Sequence, residues 1–250
     1  MKELVLAWRE PKKRAWIPVG KLWMDKDEKY RFAYTYGAQK AFETDSFVPF
    51  GQMNQLDKTY VSDDLFPIFK NRLLQRSRPE YSAYVQWLGF KGDAELSVFD
   101  ELARTNGIRA TDSLQLFEVP QEQNGMYRVF FFSHGISHLP QNYIDRVEKL
   151  KEGDALYLMK DIQNGVDVSA LVLRTDDPIE IVGYCPRFYA EDFNRLIEVQ
   201  PSEYVKVTVA KVNYDAPLQF RLLCKFESPW LEGFVPFQDR DFERIGKKGR

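Results

Sequence analysis

The stretch KDIQNGVDVSALVL, from Lys160 to Leu173, decides how the second half of this chain is interpreted. It joins a charge pair to a polar loop and then to an apolar run that is typical of a buried strand. A single aspartate, Asp167, stands where the loop leads into that run. Two interpretations are open. Asp167 closes an Asx turn before the strand, or its carboxylate accepts a hydrogen bond from a ligand hydroxyl.

The composition predicts packed cores and a binding surface of limited charge. The chain has 250 residues, of which 44% are hydrophobic and 15% aromatic, enough for one large domain or two ordinary ones. Its formal net charge of −2 lacks the basic excess of proteins that coat long nucleic acids. Any contact with nucleic acid should therefore be local, at a small patch or a strand end.

Disulfide, metal and membrane chemistry find little support in the sequence. The two cysteines, Cys185 and Cys224, lack metal-ligand spacing, and we expect Cys185 to be a small buried side chain. In a strand, His134 and His138 would lie on the same face, but the sequence offers no evident third ligand. We therefore predict no metal and no cofactor. No signal peptide is visible, and no apolar run approaches the roughly 20 residues that span a bilayer. We predict a cytoplasmic protein with no membrane partner.

The first half mixes strands and helices. Its first 40 residues contain three strand-like segments, the last with Tyr30, Phe32, Tyr34 and Tyr36 in alternation. A helical period then runs through SDDLFPIFKNRLLQRS, with Ser62 as the expected N-cap. The segments RPEYSAYVQWLGF and AELSVFDELARTNG predict two further helices.

The second half is mainly β. After the polar joint VPQEQNG, short strand-like segments surround one clear helix, FYAEDFNRLIEV, and NYIDRVEKLK predicts a second, short one. This pattern favours a small barrel or sandwich. We therefore predict an α+β protein with an α+β domain at 1–122, a mainly β, OB-like barrel with one or two helices at 126–237, and a flexible tail at 238–250.

Residues 19–120 resemble the N-terminal subdomain of HipA-type kinases. The resemblance rests on VGKLW and YRFAY, then LFPIFKNRLLQRSRPEY, then ELARTNGIRATDSLQLFEVP, in that order. The glycine-rich loop, the His-Arg-Asp loop and the Asp-Phe-Gly triplet of a kinase body are missing from the sequence. The resemblance therefore implies a docking surface for a kinase or a defence effector, of a bacterial toxin–antitoxin or phage-defence kind. A purely supporting role is the alternative.

Residues 126–215 resemble a HIRAN domain through FFFSHGISH, LKEGDALYLMKDIQNGVDVSALVL and IEIVGYCPRFYAEDFNRLI. In that family the resemblance implies an OB-like barrel that holds the 3′-hydroxyl end of single-stranded DNA. It implies a nucleic-acid site made of Ser137, His138, Lys160, Asn164, Val166, Asp167, Tyr184 and Arg187. Asp167 is the expected end sensor, because a carboxylate accepts a hydroxyl and repels a phosphate.

Several of these positions depart from the family's pattern. Val166 stands where DNA-binding members often carry an aromatic residue that stacks on a base. Ser137 and His138 replace an arginine and an aromatic residue, although His138 can still stack. Lys160 and Arg187 supply positive charge. Gly183 and Tyr184 have a structural alternative as well, the close approach of two backbones.

The sequence thus predicts a non-enzymatic module that recognises single-stranded DNA, at its 3′ end, coupled to a docking domain. The alternative is a regulatory protein that docks on a kinase or effector without binding DNA. Carboxylate pairs at a catalytic spacing, a Ser-His-Asp pattern and a nucleotide loop are all missing from the sequence, which leaves a nuclease with a weak sequence pattern as the enzymatic alternative.

Overall fold

The computed structural model describes residues 2–12, 14–90, 96–165 and 167–246. The strands are β1 Glu3–Arg9, β2 Trp16–Met24, β3 Tyr30–Tyr34, β4 Thr59–Ser62, β5 Leu114–Glu118, β6 Met126–Phe132, β7 Ala155–Lys160, β8 Leu171–Arg174, β9 Ile181–Tyr184, β10 Lys206–Val212 and β11 Leu222–Pro229. The α-helices are α1 Tyr36–Thr44, α2 Pro67–Lys70, α3 Tyr81–Trp87, α4 Val98–Thr105, α5 Gln141–Val147 and α6 Arg187–Val199. Short 3₁₀ turns cover Ile136–His138, Leu218–Phe220 and Arg240–Phe242.

The chain forms two compact units whose limits differ from the predicted domains. Unit 1 comprises 1–75, 96–119 and 237–250, and unit 2 comprises 76–95 and 120–236. The difference arises because α3, which the sequence places in the first half, packs within unit 2. There Tyr84 meets the Phe220 ring at 6.2 Å between centroids. The Trp87 indole donates to Asp215 at 3.1 Å.

Unit 1 is an antiparallel sheet with helices on its apolar side. Its strand order is β4-β3-β2-β1-β5. The aromatic alternation of β3 supplies much of the core, in which Phe32, Tyr34, Phe69 and Leu102 are fully buried. The strand stops at Tyr34, and Tyr36 begins α1.

The helix predicted over SDDLFPIFKNRLLQRS is much shorter than expected. Helix α2 spans only Pro67–Lys70, and Ser62 ends strand β4. Proline disfavours helical backbone in the residue before it. Phe66 accordingly has φ −54° and ψ 139°, so the helix begins at Pro67.

Residues 238–246, predicted to be part of a flexible tail, contact the strands and helix of unit 1. The Ile245 amide donates to Tyr34 O at 3.0 Å, and the Tyr36 amide donates to Glu243 O at 2.9 Å. The guanidinium of Arg244 lies 4.2 Å from the Trp23 ring centroid. The segment lacks an apolar stripe, and backbone bonds and cation–π contacts hold it instead. The last four residues of the predicted tail lie outside the described residues.

Unit 2 is a six-stranded antiparallel sheet, β6-β11-β10-β7-β8-β9, curled into a half-barrel around α6. Phe193 of α6 stacks on Phe226 of β11 with 3.8 Å between ring centroids. The two edges of the sheet meet at one bridge, where His134 and Tyr184 exchange two backbone hydrogen bonds of 2.9 Å. This half-barrel is more open than the predicted OB-like barrel, because its edge strands join only there in the described part of the chain.

Candidate nucleic-acid interface

The candidate site lies at the loop 161–170, which joins β7 to β8. The Asp161 amide donates to Ala170 O at 3.0 Å and continues the ladder of the two strands to the base of the loop. Asn164 links the two aspartates of the loop. Its Nδ2 donates to Asp161 Oδ2 at 3.0 Å, and its Oδ1 accepts from the Asp167 amide at 2.9 Å. The loop is therefore ordered by its own polar side chains.

Asp167 forms the Asx turn that was one of its two predicted roles, and its second carboxylate oxygen lies beside an arginine. Its Oδ1 accepts from the Ser169 amide at 3.0 Å, which closes an Asx turn. Its Oδ2 faces Arg187 Nε at 3.5 Å. The turn orients the carboxylate, and the long second contact leaves Oδ2 able to accept a shorter hydrogen bond from a ligand.

Arg187 is the first residue of α6, where the N-terminal amides of a helix favour negative charge. Its side chain is 35% exposed, whereas that of Asp167 is 16% exposed. The pair thus presents an oriented carboxylate beside a more accessible guanidinium. Such a pair can bind one group that donates, such as a hydroxyl, and one that accepts, such as a phosphate.

Tyr184 at the end of β9 is tied to the same loop. Its hydroxyl donates to Asp161 Oδ2 at 3.2 Å. Burial raises the pKa of the Tyr184 hydroxyl, and the neighbouring Asp161 carboxylate raises it further. The preceding Gly183 has φ +126°, and a Cβ there would lie 2.7 Å from the backbone oxygen of His134 and 1.9 Å from Ser133 Oγ. Gly183 therefore has a structural role, the close approach of two backbones, which was the alternative interpretation.

The remaining predicted residues are spread more widely. Lys160 is exposed and pairs with Glu198 of α6 at 2.7 Å. Ser137 and His138 are exposed on the 3₁₀ turn after Gly135, whose Cβ position would lie 3.5 Å from the Tyr184 ring. Val166 lies outside the described residues. Of the predicted residues, the structure places Asn164, Asp167, Tyr184 and Arg187 around this loop.

Sequence reasoning missed two residues that organise the site. Asp161 accepts from both Asn164 and Tyr184. The spacing of Asp161, Asn164 and Asp167, each three residues from the next, was an available signal for a self-bonded loop. Asn194 of α6 donates to Ser169 O at 2.9 Å and holds the turn against the helix. Its position on a helix far along the chain offered no such signal.

The described residues contain neither a candidate metal site nor a membrane-spanning helix. Among the residues described, no three or more His, Cys, Asp or Glu side chains are grouped to hold a metal ion. Within the same residues, no helix is long and apolar enough to cross a membrane. Cys185 and Cys224 are free and buried, and burial raises the pKa of both thiols.

The family comparison identifies the second half of the chain. Residues 126–230 match the family model described as the HIRAN domain, so this part of the chain is a HIRAN domain. HIRAN domains are nucleic-acid-binding modules without a catalytic role. No curated protein matches the chain. The likeness of residues 19–120 to the HipA subdomain stays a prediction.

Two solved structures are similar to this chain over the same share of its length. A protein from Lactobacillus plantarum is 16% identical, with a TM-score of 0.31, and the match covers 41% of this chain and 96% of that one. The HIRAN domain of human HLTF is 11% identical, with a TM-score of 0.30, and the match covers 41% of this chain and 74% of that one.

Proposed function

We propose that this protein is a non-enzymatic module that binds the 3′ end of single-stranded DNA at Asp167 and Arg187. The observation that carries the proposal is the oriented pair, in which Asp167 Oδ2 lies 3.5 Å from Arg187 Nε. A 3′-terminal nucleotide carries a hydroxyl that donates and a phosphate that accepts. In the bound state the hydroxyl donates to Asp167 and the phosphate accepts from Arg187.

The chemistry of the pair selects a free end. A strand that continues beyond the site replaces the hydroxyl by a phosphate, which the Asp167 carboxylate repels. A hydrogen bond between a hydroxyl and a carboxylate contributes roughly 1.5–3 kcal/mol. The low net charge of the chain agrees with recognition at one end rather than along a strand.

The test is fluorescence anisotropy of a short labelled DNA strand with a free 3′-hydroxyl, at near-physiological salt. The same strand with a 3′-phosphate should bind about tenfold more weakly or worse, because each tenfold step is about 1.4 kcal/mol. Asp167→Asn keeps an oxygen for the Ser169 amide but removes the charge. We expect it to reduce the preference for the hydroxyl end while the domain stays folded.

The controls separate charge from fold. Asp167→Ala removes both the turn and the charge, and Asp176→Asn removes an exposed carboxylate of the same domain. Asp176→Asn should bind as the parent protein does. Equal binding of hydroxyl and phosphate ends by the parent protein refutes the end-sensor role and leaves a general electrostatic contact. No binding of any strand refutes the DNA function as a whole.

The alternative is a regulatory protein that binds a partner through residues 1–122 and does not contact DNA. A specific observation favours it. Of the two cationic residues expected to meet phosphate, Lys160 is paired with Glu198 and Arg187 faces Asp167. A kinase or defence effector is the proposed partner, docked on residues 1–122. Absence of DNA binding together with a stoichiometric complex between the full chain and a purified HipA-type kinase would support it.

A further inference from the structure

The hydrogen-bond ladder of the half-barrel opens between β7 and β10. The two strands pair at Val207 opposite Leu156 and Thr208 opposite Ala155, and beyond the start of β7 the Val209 amide donates to Asp154 O at 2.9 Å. In the same register, Leu158 would lie opposite Val205. That pair is not formed, and the chain before β10 diverges from β7.

Two residues of β7 consequently have free backbone groups. On the other edge, β7 pairs with β8 as far as Lys160 opposite Leu171, and the Asp161 amide donates to Ala170 O. Hydrogen-bonded pairs alternate along an antiparallel ladder, so Tyr157 and Met159 are the residues that exchange bonds with β8. Leu158 and Lys160 point their N–H and C=O groups toward the β10 side. Within the described residues these groups have no partner there.

A groove of about 540 Å³ lies at this opening. Leu158 and Val205, the two residues that fail to pair, both line it. Its wall is completed by apolar side chains that include Leu156, Val207 and, from α6, Ile197. An unpaired strand edge and an apolar groove therefore coincide.

We propose that this opening binds an extended segment of a partner protein, which adds to β7 as a strand and places an apolar side chain in the groove. The free groups select this occupant. A polypeptide backbone offers a donor and an acceptor at each residue, and can pair with both the N–H and the C=O of Leu158. Within a DNA strand the sugar–phosphate backbone offers acceptors only, so it leaves the C=O of Leu158 unpaired.

The charges of the groove indicate the partner's character. Arg174 and Lys206 line it against a single carboxylate, Glu203. An apolar segment with a flanking acidic residue is complementary to that set. This interaction goes beyond DNA-end binding and does not depend on it, because it uses the backbone of β7 rather than the Asp167 carboxylate.

Amide hydrogen exchange of the full chain, followed by NMR, tests the opening directly. In the free protein, the Leu158 and Lys160 amides should exchange fast, and those of Tyr157 and Met159 slowly. The probe is the peptide acetyl-Glu-Val-Thr-Val-Thr-Val-Glu-amide. On its addition, we expect Leu158 exchange to slow at least tenfold. The same peptide with its alternate amides N-methylated, on the edge that would pair, should have no effect.

Substitutions test the groove and the edge separately. Leu158→Pro removes a donor that β8 does not use, and should lower peptide affinity at least tenfold. Ile197→Glu places a negative charge in the wall and should do the same, which keeps the test valid if the proline variant fails to fold. Met159→Thr, on the opposite face of β7, is the matched control and should bind the peptide as the parent does.

Four outcomes overturn the proposal. The first is a Leu158 amide that is as protected as the Met159 amide in the free protein, which would mean that the ladder is closed. The second is an N-methylated peptide that protects the Leu158 amide as strongly as the unmethylated peptide does. The third is protection of the Leu158 amide by a thymidine oligonucleotide, which would assign the groove to nucleic acid. The fourth is protection of the Leu158 amide that rises with protein concentration alone, which would assign the groove to a second copy of the chain.

Discussion

Two arginine–aspartate pairs, one in each unit, share their local chemistry and differ in their surroundings. In unit 1, Asp112 Oδ1 accepts from the Leu114 amide at 3.1 Å, and its Oδ2 accepts from Arg72 at 2.7 Å. In unit 2, Asp167 makes the same turn with Ser169, and its Oδ2 faces Arg187 at 3.5 Å. In each case the turn leads toward a strand.

The surroundings decide what each pair does. The Arg72 side chain is 1% exposed and also donates to Ile68 O and Gly107 O, so its hydrogen bonds are made inside unit 1. The Arg187 side chain is 35% exposed, and its contact with Asp167 is long. A saturated, buried pair holds a fold together, whereas an accessible pair with a loose contact can exchange its partner for a ligand.

The largest expected effect comes from removing the buried arginine. Arg72→Ala removes the guanidinium that donates to Gly107 O and to Asp112 Oδ2, and should lower the free energy of unfolding of unit 1 by about 3 kcal/mol. Urea denaturation measures the change. Arg109→Ala removes a guanidinium exposed near the same pair and should change it by less than about 0.5 kcal/mol. Equal losses for the two variants would contradict the structural role of Arg72.

The next largest effect should be that of acid on the stability of unit 2. Both histidines of the chain, His134 and His138, lie in unit 2. Burial lowers the pKa of His134 from its usual 6.5 to about 4. Between those values, the unfolded chain binds a proton that the folded domain excludes, so stability is complete above pH 6.5 and falls as the pH drops toward 4. We expect a loss of about 1–2 kcal/mol at pH 5.

The measurement is the urea midpoint of unit 2 at pH 7 and pH 5, read from its amide exchange. His134→Gln should abolish most of the difference between the two pH values. His138→Gln, which changes the exposed histidine of the 3₁₀ turn, is the control. An unchanged pH response in His134→Gln would show that other groups cause the loss.

The accessible arginine should matter for binding and little for folding. Arg187→Ala should weaken binding of a single-stranded DNA end about tenfold, which is about 1.4 kcal/mol. A partly exposed pair contributes little to folding, so its free energy of unfolding should fall by less than about 1 kcal/mol. Anisotropy and urea denaturation of the same preparation give both numbers. A large loss of stability with DNA binding intact would reverse the comparison with Arg72.

The smallest effects come from asparagine at the two turns, since asparagine keeps the oxygen that accepts the backbone amide. Asp112→Asn weakens a short bond to a buried guanidinium and should cost about 1 kcal/mol of stability. Asp167→Asn weakens a long, partly exposed contact and should cost no more than a few tenths of a kcal/mol. Thermal or urea unfolding of the matched pair measures the difference. Similar losses would mean that the surroundings of the two pairs matter less than the shared turn.

Local patterns of the sequence predicted much of this structure. The alternation around Phe32 and Tyr34 marked a buried strand, and the segment AELSVFDELARTNG predicted helix α4, which ends before the left-handed Asn106. Helix α2 was predicted too long because the apolar period continued past Pro67 in both directions, although proline prevents the helix from starting earlier. The segment 238–246 was predicted to be flexible because it lacks an apolar stripe. The contacts that hold it are with residues far away in sequence, which a local pattern does not show.

The sequence by itself determined the HIRAN domain and offered the Asx turn at Asp167 as one of two interpretations, because these depend on residue types a few positions apart. Only the tertiary structure decided which Arg–Asp pair is buried. Arg72 is separated from Gly107 and Asp112 by 35 and 40 residues. Arg187 lies 20 residues after Asp167, beyond two intervening strands. Exposure depends on how such distant elements pack, and a local pattern carries no information about that.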